Sequence, residues 1–402
     1  MFYPLLTSFF VRGGGLLTGI ISRLVNRGVV ITSPHSIYIS PLIKTALHSR
    51  GIHNGGILIG RILNSERNIF WNPNKSMSPH VIVVGPTGSG KTETLISIAT
   101  RMNMIFSVTV LMIDIKGDIA SRLSRRGHRF HMIDISRTPL GSLYPFYVEP
   151  LTRAGQVFES IVSSYEITDM RIQASIYRAL RGAFERKPLP TWGHVASEVA
   201  REEDSVRTMV FRIVDEISQL DGGRQAIGHY EIREREVNIV SLARISKERE
   251  EMLGYAMNMV FQDMINYMSA RNIDPGRVRG ALVIDEAWIL SRHGRSAGRV
   301  LNLVKLSRGY GLSVLLATQS FRDLGDMWDR ILENSGLLIV LNNPSNRFWR
   351  DASNFLKIDR GVIRDLMVVM GRGDAIIRIL PDPRPIPVSL ENEVEKTAEL
   401  DL

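Results

Sequence analysis

At 402 residues with an apolar fraction of 44%, the chain is long enough for one large domain or two ordinary ones and has ample material for a core. Cysteine is absent, which excludes disulfides and thiolate metal sites and leaves no sign of an oxidising compartment. The formal charge of +9 is carried by nine lysines and otherwise by arginine. It favours a polyanionic partner, although guanidinium serves phosphate contacts and intersubunit ion pairs equally well.

The N-terminus is apolar from Phe2 to Val11 and again from Leu16 to Ile21, with Arg12, the Gly13–Gly15 run and Arg23 interrupting it. No stretch reaches the roughly 20 apolar residues that a spanning helix needs. No basic leader precedes the run as a signal peptide requires. Packing against the protein is favoured over contact with a membrane surface. Residues 1–75 read as a small β-rich region, with short β-branched runs at Val29–Thr32, Ser36–Ile39 and Gly56–Gly60.

Next comes the apolar run His80–Val84, then Gly85-Pro86-Thr87-Gly88-Ser89-Gly90-Lys91-Thr92, then the helical pattern Glu93–Ala99. Strand, glycine-rich turn and helix stand in the order a phosphate-binding loop needs. Glycines allow consecutive N–H groups to face a polyphosphate, and the helix N-terminus adds partial positive charge. Lys91 can reach the β- and γ-phosphates, and the Thr92 hydroxyl can hold Mg²⁺. The ligand is a nucleoside triphosphate.

Val108–Asp114 reads as a second buried strand and His128–Ile135 as a third. The nine histidines are scattered, and His128 and His131 fit a strand better than a metal site. From about residue 152 to 222 the period is near 3.6, which predicts a helical insertion broken at Pro188 and Pro190, with a helix start at Thr191–Gly193. Arg171, Arg178 and Arg181 share one helical face there, either solvated and ion-paired or in contact with nucleic acid. Val237–Leu242 resumes the sheet. A long helix from about Lys247 to Ala270 carries Met252, Met257, Met259, Met264 and Met268, read as core filling.

Gly280–Ile284 is another buried-strand run and ends in Asp285-Glu286. A parallel strand covered on both faces delivers its polar residues at the carboxyl edge, where ligands bind. Asp285 is placed for the Mg²⁺ shell, and Glu286 can orient and deprotonate an attacking water. The strand Leu312–Ala317 leads to Thr318-Gln319-Ser320, whose amide can bond the water or the γ-phosphate. Arg308 lies just upstream, on a glycine-flanked turn. Gly336–Leu341 and Gly373–Leu380 predict further strands. The Pro381–Pro387 stretch reads as the end of the domain, which runs over residues 76–385. An acidic tail, 386–402, carries Glu391, Glu393, Glu395, Glu399 and Asp401.

The ordered motifs Gly85–Thr92, Val283–Glu286, Arg308–Gly311 and Ala317–Ser320 resemble the series of the HerA–FtsK superfamily of ring-forming DNA-pumping ATPases. Met112–Asp118 is similar to the strand and Asp-x-Lys-Gly turn of conjugative coupling proteins and type IV secretion ATPases, and Gly336–Asn342 to the strand after their glutamine. Archaeal DNA-import ATPases are a closer match within this group. The resemblance covers about residues 78–380 and implies an α/β RecA-like P-loop NTPase with a mostly parallel sheet. It further implies a homohexamer with ATP at subunit interfaces and DNA in a central channel. Lys91 and Thr92 then act on phosphate and Mg²⁺, Asp285 on the metal, Glu286 as base, Gln319 as sensor and Arg308 as a finger into the neighbouring subunit. The N-terminal region lacks the membrane spans of many coupling proteins and is short for the β-barrel of HerA repair proteins. Three settings stay open: a translocase at the cytoplasmic face of a membrane channel protein, a motor working with a nuclease partner, and an ATPase that moves protein.

Overall fold

The computed structural model describes residues 29–33, 36–39, 55–65, 67–245, 249–271, 276–290, 304–323 and 328–391. The apolar segment Phe2–Ile21 and the tail residues Glu393, Glu395, Glu399 and Asp401 lie outside them. The described chain divides into two compact units. The first draws on Met1–Arg101, Leu316–Arg322 and Trp328–Leu402, the second on Met102–Leu315 and Asp323–Met327.

In chain order, the first unit begins with the hairpin β1 (Val29–Ser33) and β2 (Ser36–Ile39), then β3 (Ile57–Ile62), β4 (Asn68–Trp71) and β5 (Val81–Val84). Helix α1 (Lys91–Phe106) follows. The second unit builds β6 (Thr109–Asp114), α2 (Ile119–Arg125) and β7 (His131–Asp134), then the helices α3 (Pro150–Ser164), α4 (Met170–Arg186), α5 (Trp192–Val199) and α6 (Asp204–Leu220). After them come β8 (Val237–Ser241), α7 (Glu250–Ser269) and β9 (Gly280–Ile284), with a 3-10 turn at Ala287–Leu290. Strand β10 (Leu312–Thr318) starts in the second unit and ends in the first. α8 (Trp328–Glu333), β11 (Leu337–Leu341), α9 (Asn346–Leu356), α10 (Arg360–Val369), β12 (Asp374–Ile379) and β13 (Asp382–Leu390) complete the first unit.

In the second unit the strands lie in the order β9-β6-β8-β7 and pair in parallel. Every residue of β6 and β9 is buried, which is why both read as unbroken apolar runs. Ile113 pairs with Ile284, so Asp114 and Asp285 emerge side by side at the carboxyl edge. Strand β7 starts at His131 rather than at His128, because the residues before it close α2. The Gly127 N–H bonds the Ser124 carbonyl and the His128 N–H bonds the Leu123 carbonyl, the Schellman pattern.

Residues 150–220 pack against α7, whose methionines 252, 257, 259, 264 and 268 are all buried. At the centre, Arg153 on α3 donates through Nη1 to Asp263 Oδ1 on α7 at 2.6 Å, with both side chains fully buried. Its remaining nitrogens bond the carbonyls of Ser142 (2.7 Å) and Gly141 (3.0 Å), while Asp263 Oδ2 accepts from Tyr230 and meets His229, each at 3.0 Å. Burial pushes the Asp263 carboxyl up, but the charges of Arg153 and His229 and their bonds outweigh it and hold its pKa below the usual range. On the outer face, Arg171 pairs with Asp169 (3.0 Å), Arg178 with Glu202 (2.6 Å) and Arg181 with Glu185 (2.6 Å). All three arginines of that face are exposed and ion-paired.

In the first unit the order is β4-β3-β13-β12-β11-β5. β5 and β11 are parallel, with Val83 beside Ile339, and the other neighbours are antiparallel. A cut at residue 75 therefore separates β3 from β13, with which it pairs. The prolines at 383, 385 and 387 do not end the domain but sit within β13, so the sheet runs past residue 386 to Leu390. Alternate residues of a regular strand point their N–H groups to opposite sides, so a strand tolerates a proline whose missing donor lies on the side away from its partner. The Pro387 carbonyl accepts from the Leu63 N–H at 2.9 Å, which puts that side away from β12.

Candidate functional site

Strand β5 is fully buried and ends at Val84, and α1 begins at Lys91. The six residues between them form the loop. Gly88 and Gly90 take φ of +80° and +103°, backbone that side chains disfavour, and this folds the loop tightly. Ser89 Oγ donates to the Pro86 carbonyl at 2.7 Å, and Thr94 Oγ1 donates to the Gly90 carbonyl at 3.0 Å. Lys91 is only 7% exposed, and its Nζ donates to the carbonyls of Gly85 (2.9 Å) and Pro86 (3.0 Å). The ammonium thus meets two backbone carbonyls beside a helix N-terminus, and a helix N-terminus favours an incoming anion. Thr92 is half-buried in the first turn of α1. Gln319 follows β10, and its Oε1 accepts from Thr87 Oγ1 at 3.2 Å, so the loop and the candidate sensor are in contact.

Asp285 and Glu286 belong to the second unit and are 8% and 6% exposed. Lys116, on the turn after β6, donates to Glu286 Oε1 and lies 3.8 Å from Asp285 Oδ2. The Trp288 indole N–H donates to Glu286 Oε2 at 2.6 Å, so both carboxylate oxygens are held. Asp114 shapes the turn: its carboxylate accepts from the N–H of Gly117 at 2.7 Å and of Ile119 at 3.1 Å. Burial raises the Asp114 pKa against those two bonds. Burial also disfavours charge on Lys116, but the bond to Glu286 and the charges of Glu286, Asp285 and Asp118 prevail and raise its pKa. Lys116 and Trp288 are contacts that a motif reading of Asp285-Glu286 misses. The available signal was two buried strands that each end in aspartate, one of them followed two residues later by lysine.

Arg308 is placed differently from its expected turn. It lies in the last turn of a helical stretch, 304–309, and its side chain is exposed. The reversal comes at residues 310–311, where the Gly311 N–H bonds the Arg308 carbonyl. The Gly311 carbonyl accepts from the N–H groups of Arg279 and Gly280, at the start of β9. Asp285 follows the other end of that strand, roughly 17 Å away at about 3.3 Å per residue. Arg308 is therefore not gathered with the carboxylates of its own chain.

Residues 57–259 match the family described as "Helicase HerA, central domain". The matched stretch includes Gly85–Thr92 and the Asp114–Lys116 turn, while Asp285, Glu286, Arg308 and Gln319 lie beyond it. The DNA import protein CedB of Sulfolobus acidocaldarius is 31% identical over 340 residues, which is 84% of this chain and 56% of that protein. The chain thus spans a little over half the length of the curated relative it matches. Among solved structures, VirB4 of Thermoanaerobacter pseudethanolicus superposes with a TM-score of 0.70 at 16% identity, covering 85% of this chain and 98% of that one. The unbound bacterial conjugative coupling protein TrwB gives 0.59 at 16% identity, covering 78% and 85%. These likenesses carry the α/β fold. With half its length matched, from β3 into α7, the chain belongs to the HerA central-domain family.

Proposed function

We propose that this chain is the ATP-hydrolysing engine of a homohexameric motor that moves DNA, working at the cytoplasmic face of a membrane through a channel partner. The observation that carries the reading is the phosphate loop, with a buried Lys91 stored on two carbonyls and Gln319 bonded to Thr87. It is supported by likeness to a DNA import protein and to a conjugative coupling protein, TrwB, that was also solved with an ATP analogue. Among the described residues no helix is long and apolar enough to cross a membrane.

In this reading the loop N–H groups and Lys91 bind the triphosphate. Mg²⁺ would be held by the Thr92 hydroxyl and the Asp285 carboxylate, and would neutralise charge on the β- and γ-oxygens. The donor chemistry fits: a hydroxyl and a carboxylate supply the hard oxygens that Mg²⁺ takes beside phosphate and water. Glu286 accepts the proton of the water that attacks the γ-phosphorus, and ADP leaves. Gln319 orients that water or reads the γ-phosphate. Arg308, exposed and remote from its own carboxylates, reaches the γ-phosphate of the neighbouring subunit.

Glu286→Gln should keep ATP binding while turnover falls by about 10²–10⁴. Long DNA of arbitrary sequence should raise the hydrolysis rate, with affinity falling steeply as salt rises. A rate indifferent to DNA at low salt would sink the DNA motor and favour a protein-moving ATPase. Rings mixed from Lys91→Ala and Arg308→Ala subunits should recover activity that neither variant shows alone. No recovery in confirmed rings would remove the finger role. Affinity purification from the host should bring down a membrane channel protein; a nuclease instead would move the motor to DNA end processing.

A further inference from the structure

At the amino edge of the second unit's sheet, opposite Asp114 and Asp285, lies a cavity of about 270 Å³. It is walled by residues that precede β6, β8 and β9 and by the C-terminal turn of α7. Arg235, Arg271, Arg277 and Arg279 line it, and Glu234 is the one carboxylate among its described lining residues. Glu234 is engaged, 3.9 Å from the Arg235 guanidinium. Arg271 is set rigidly: its Nη1 donates to the Tyr267 carbonyl at 2.8 Å, and its guanidinium lies 3.4 Å from the centre of the Tyr267 ring. Arg277 and Arg279 are exposed and have no ion pair among the described residues.

Nucleotide chemistry at the carboxyl edge does not explain this cluster. Four guanidiniums crowded around one pocket repel each other, and such crowding is relieved by an anion. The planar fork of arginine matches phosphate oxygens better than it matches any other common anion except carboxylate. A second observation separates those two. Tyr147 stands beside the cavity, its ring 5.9 Å from that of Tyr267 and 5.5 Å from the Arg271 guanidinium. It is 52% exposed and held at φ +55°, a left-handed conformation that a bulky side chain disfavours. A half-exposed tyrosine ring beside a basic pocket is the pairing that single-stranded nucleic acid uses, with phosphate on arginine and base on ring.

We infer that this amino-edge cavity is a contact site for a single strand of nucleic acid. Arg277 and Arg279 grip a backbone phosphate, Arg271 and Arg235 set the field, and Tyr147 carries the adjoining base. The inference rests on the DNA reading above and adds a location and a strandedness to it.

The test uses the full chain and fluorescein-labelled 30-nucleotide single strands and duplexes, read by anisotropy across a salt series. DNA-free ATP hydrolysis and thermal melting are followed in parallel. Arg277→Gln with Arg279→Gln should weaken single-strand binding by about tenfold or more and lower the slope of log affinity against log salt by about one to two. DNA-free hydrolysis and melting should stay as in the parent. Tyr147→Ala should weaken single-strand binding by about tenfold and leave duplex binding within about twofold. If the parent binds DNA and neither variant changes its affinity or salt slope, the site is wrong while the motor reading stands. If the parent binds no DNA, both fall. A loss of DNA-free hydrolysis with DNA affinity intact would assign the arginines to a neighbour's nucleotide and overturn the inference. So would tripolyphosphate binding that disappears in the arginine variant while DNA affinity is unchanged. Equal weakening of single strand and duplex by Tyr147→Ala would remove the base contact.

Discussion

Lys91 in the first unit and Lys116 in the second each anchor a polar cluster just after a buried strand, but on different partners. Lys91 rests on the neutral carbonyls of Gly85 and Pro86. Lys116 rests on the carboxylates of Glu286 and Asp285. A buried ammonium beside a helix N-terminus lies where an arriving anion is favoured, whereas one bonded to a carboxylate and close to a second already meets that charge. In the proposed reading the first binds and the second holds. Lys116 keeps Glu286 in place and spares two adjacent buried acids from facing each other alone.

The sharpest way to break this contrast is Lys91→Ala. It should abolish hydrolysis, a fall of about 10³ or more, since the γ-phosphate loses its mobile counterion. Steady-state phosphate release measures it, and a variant within about tenfold of the parent would show that Lys91 is not the binder. Lys116→Ala should act more gently, lowering turnover by about tenfold with ATP affinity held. It should also lower the melting temperature by about 3 °C when Mg²⁺ is withheld, and added Mg²⁺ should recover part of that loss by supplying the missing positive charge. Equal melting with and without Mg²⁺ would remove the holding role. Thr87→Val, which deletes the hydroxyl that donates to Gln319, should cost about twofold to threefold in turnover, because one exposed hydrogen bond contributes little. Single-turnover kinetics with the parent as reference would resolve it.

These particulars show what a sequence can and cannot display. The loop from Gly85 to Thr92 is legible because its parts are neighbours in the chain and its chemistry demands glycine and lysine at fixed offsets. The parallel strands are legible because burial on both faces leaves the unbroken run of Val110–Ile113 and of Ala281–Ile284. Lys116 and Glu286 are far apart in sequence, and only the pairing of β6 with β9 brings their ends together. Arg153 is less legible still. Nothing within α3 says that this arginine is buried, since its partner Asp263 lies 110 residues away on α7. Composition misled at the carboxyl end, where the four prolines from Pro381 to Pro387 read as a stop. A proline forbids a strand only where its missing N–H is required, and at Pro387 the missing N–H faces away from β12.

The orientation of Pro387 has a consequence for how the molecule meets other chains. There the side of β13 turned from β12 offers a carbonyl acceptor but no donor, while the register with β3 runs over Val388–Leu390. An extended segment from another copy that tries to add itself there can form only half of a ladder. Where a second copy of the chain presents the same sheet, the proline acts as a guard rail against strand exchange.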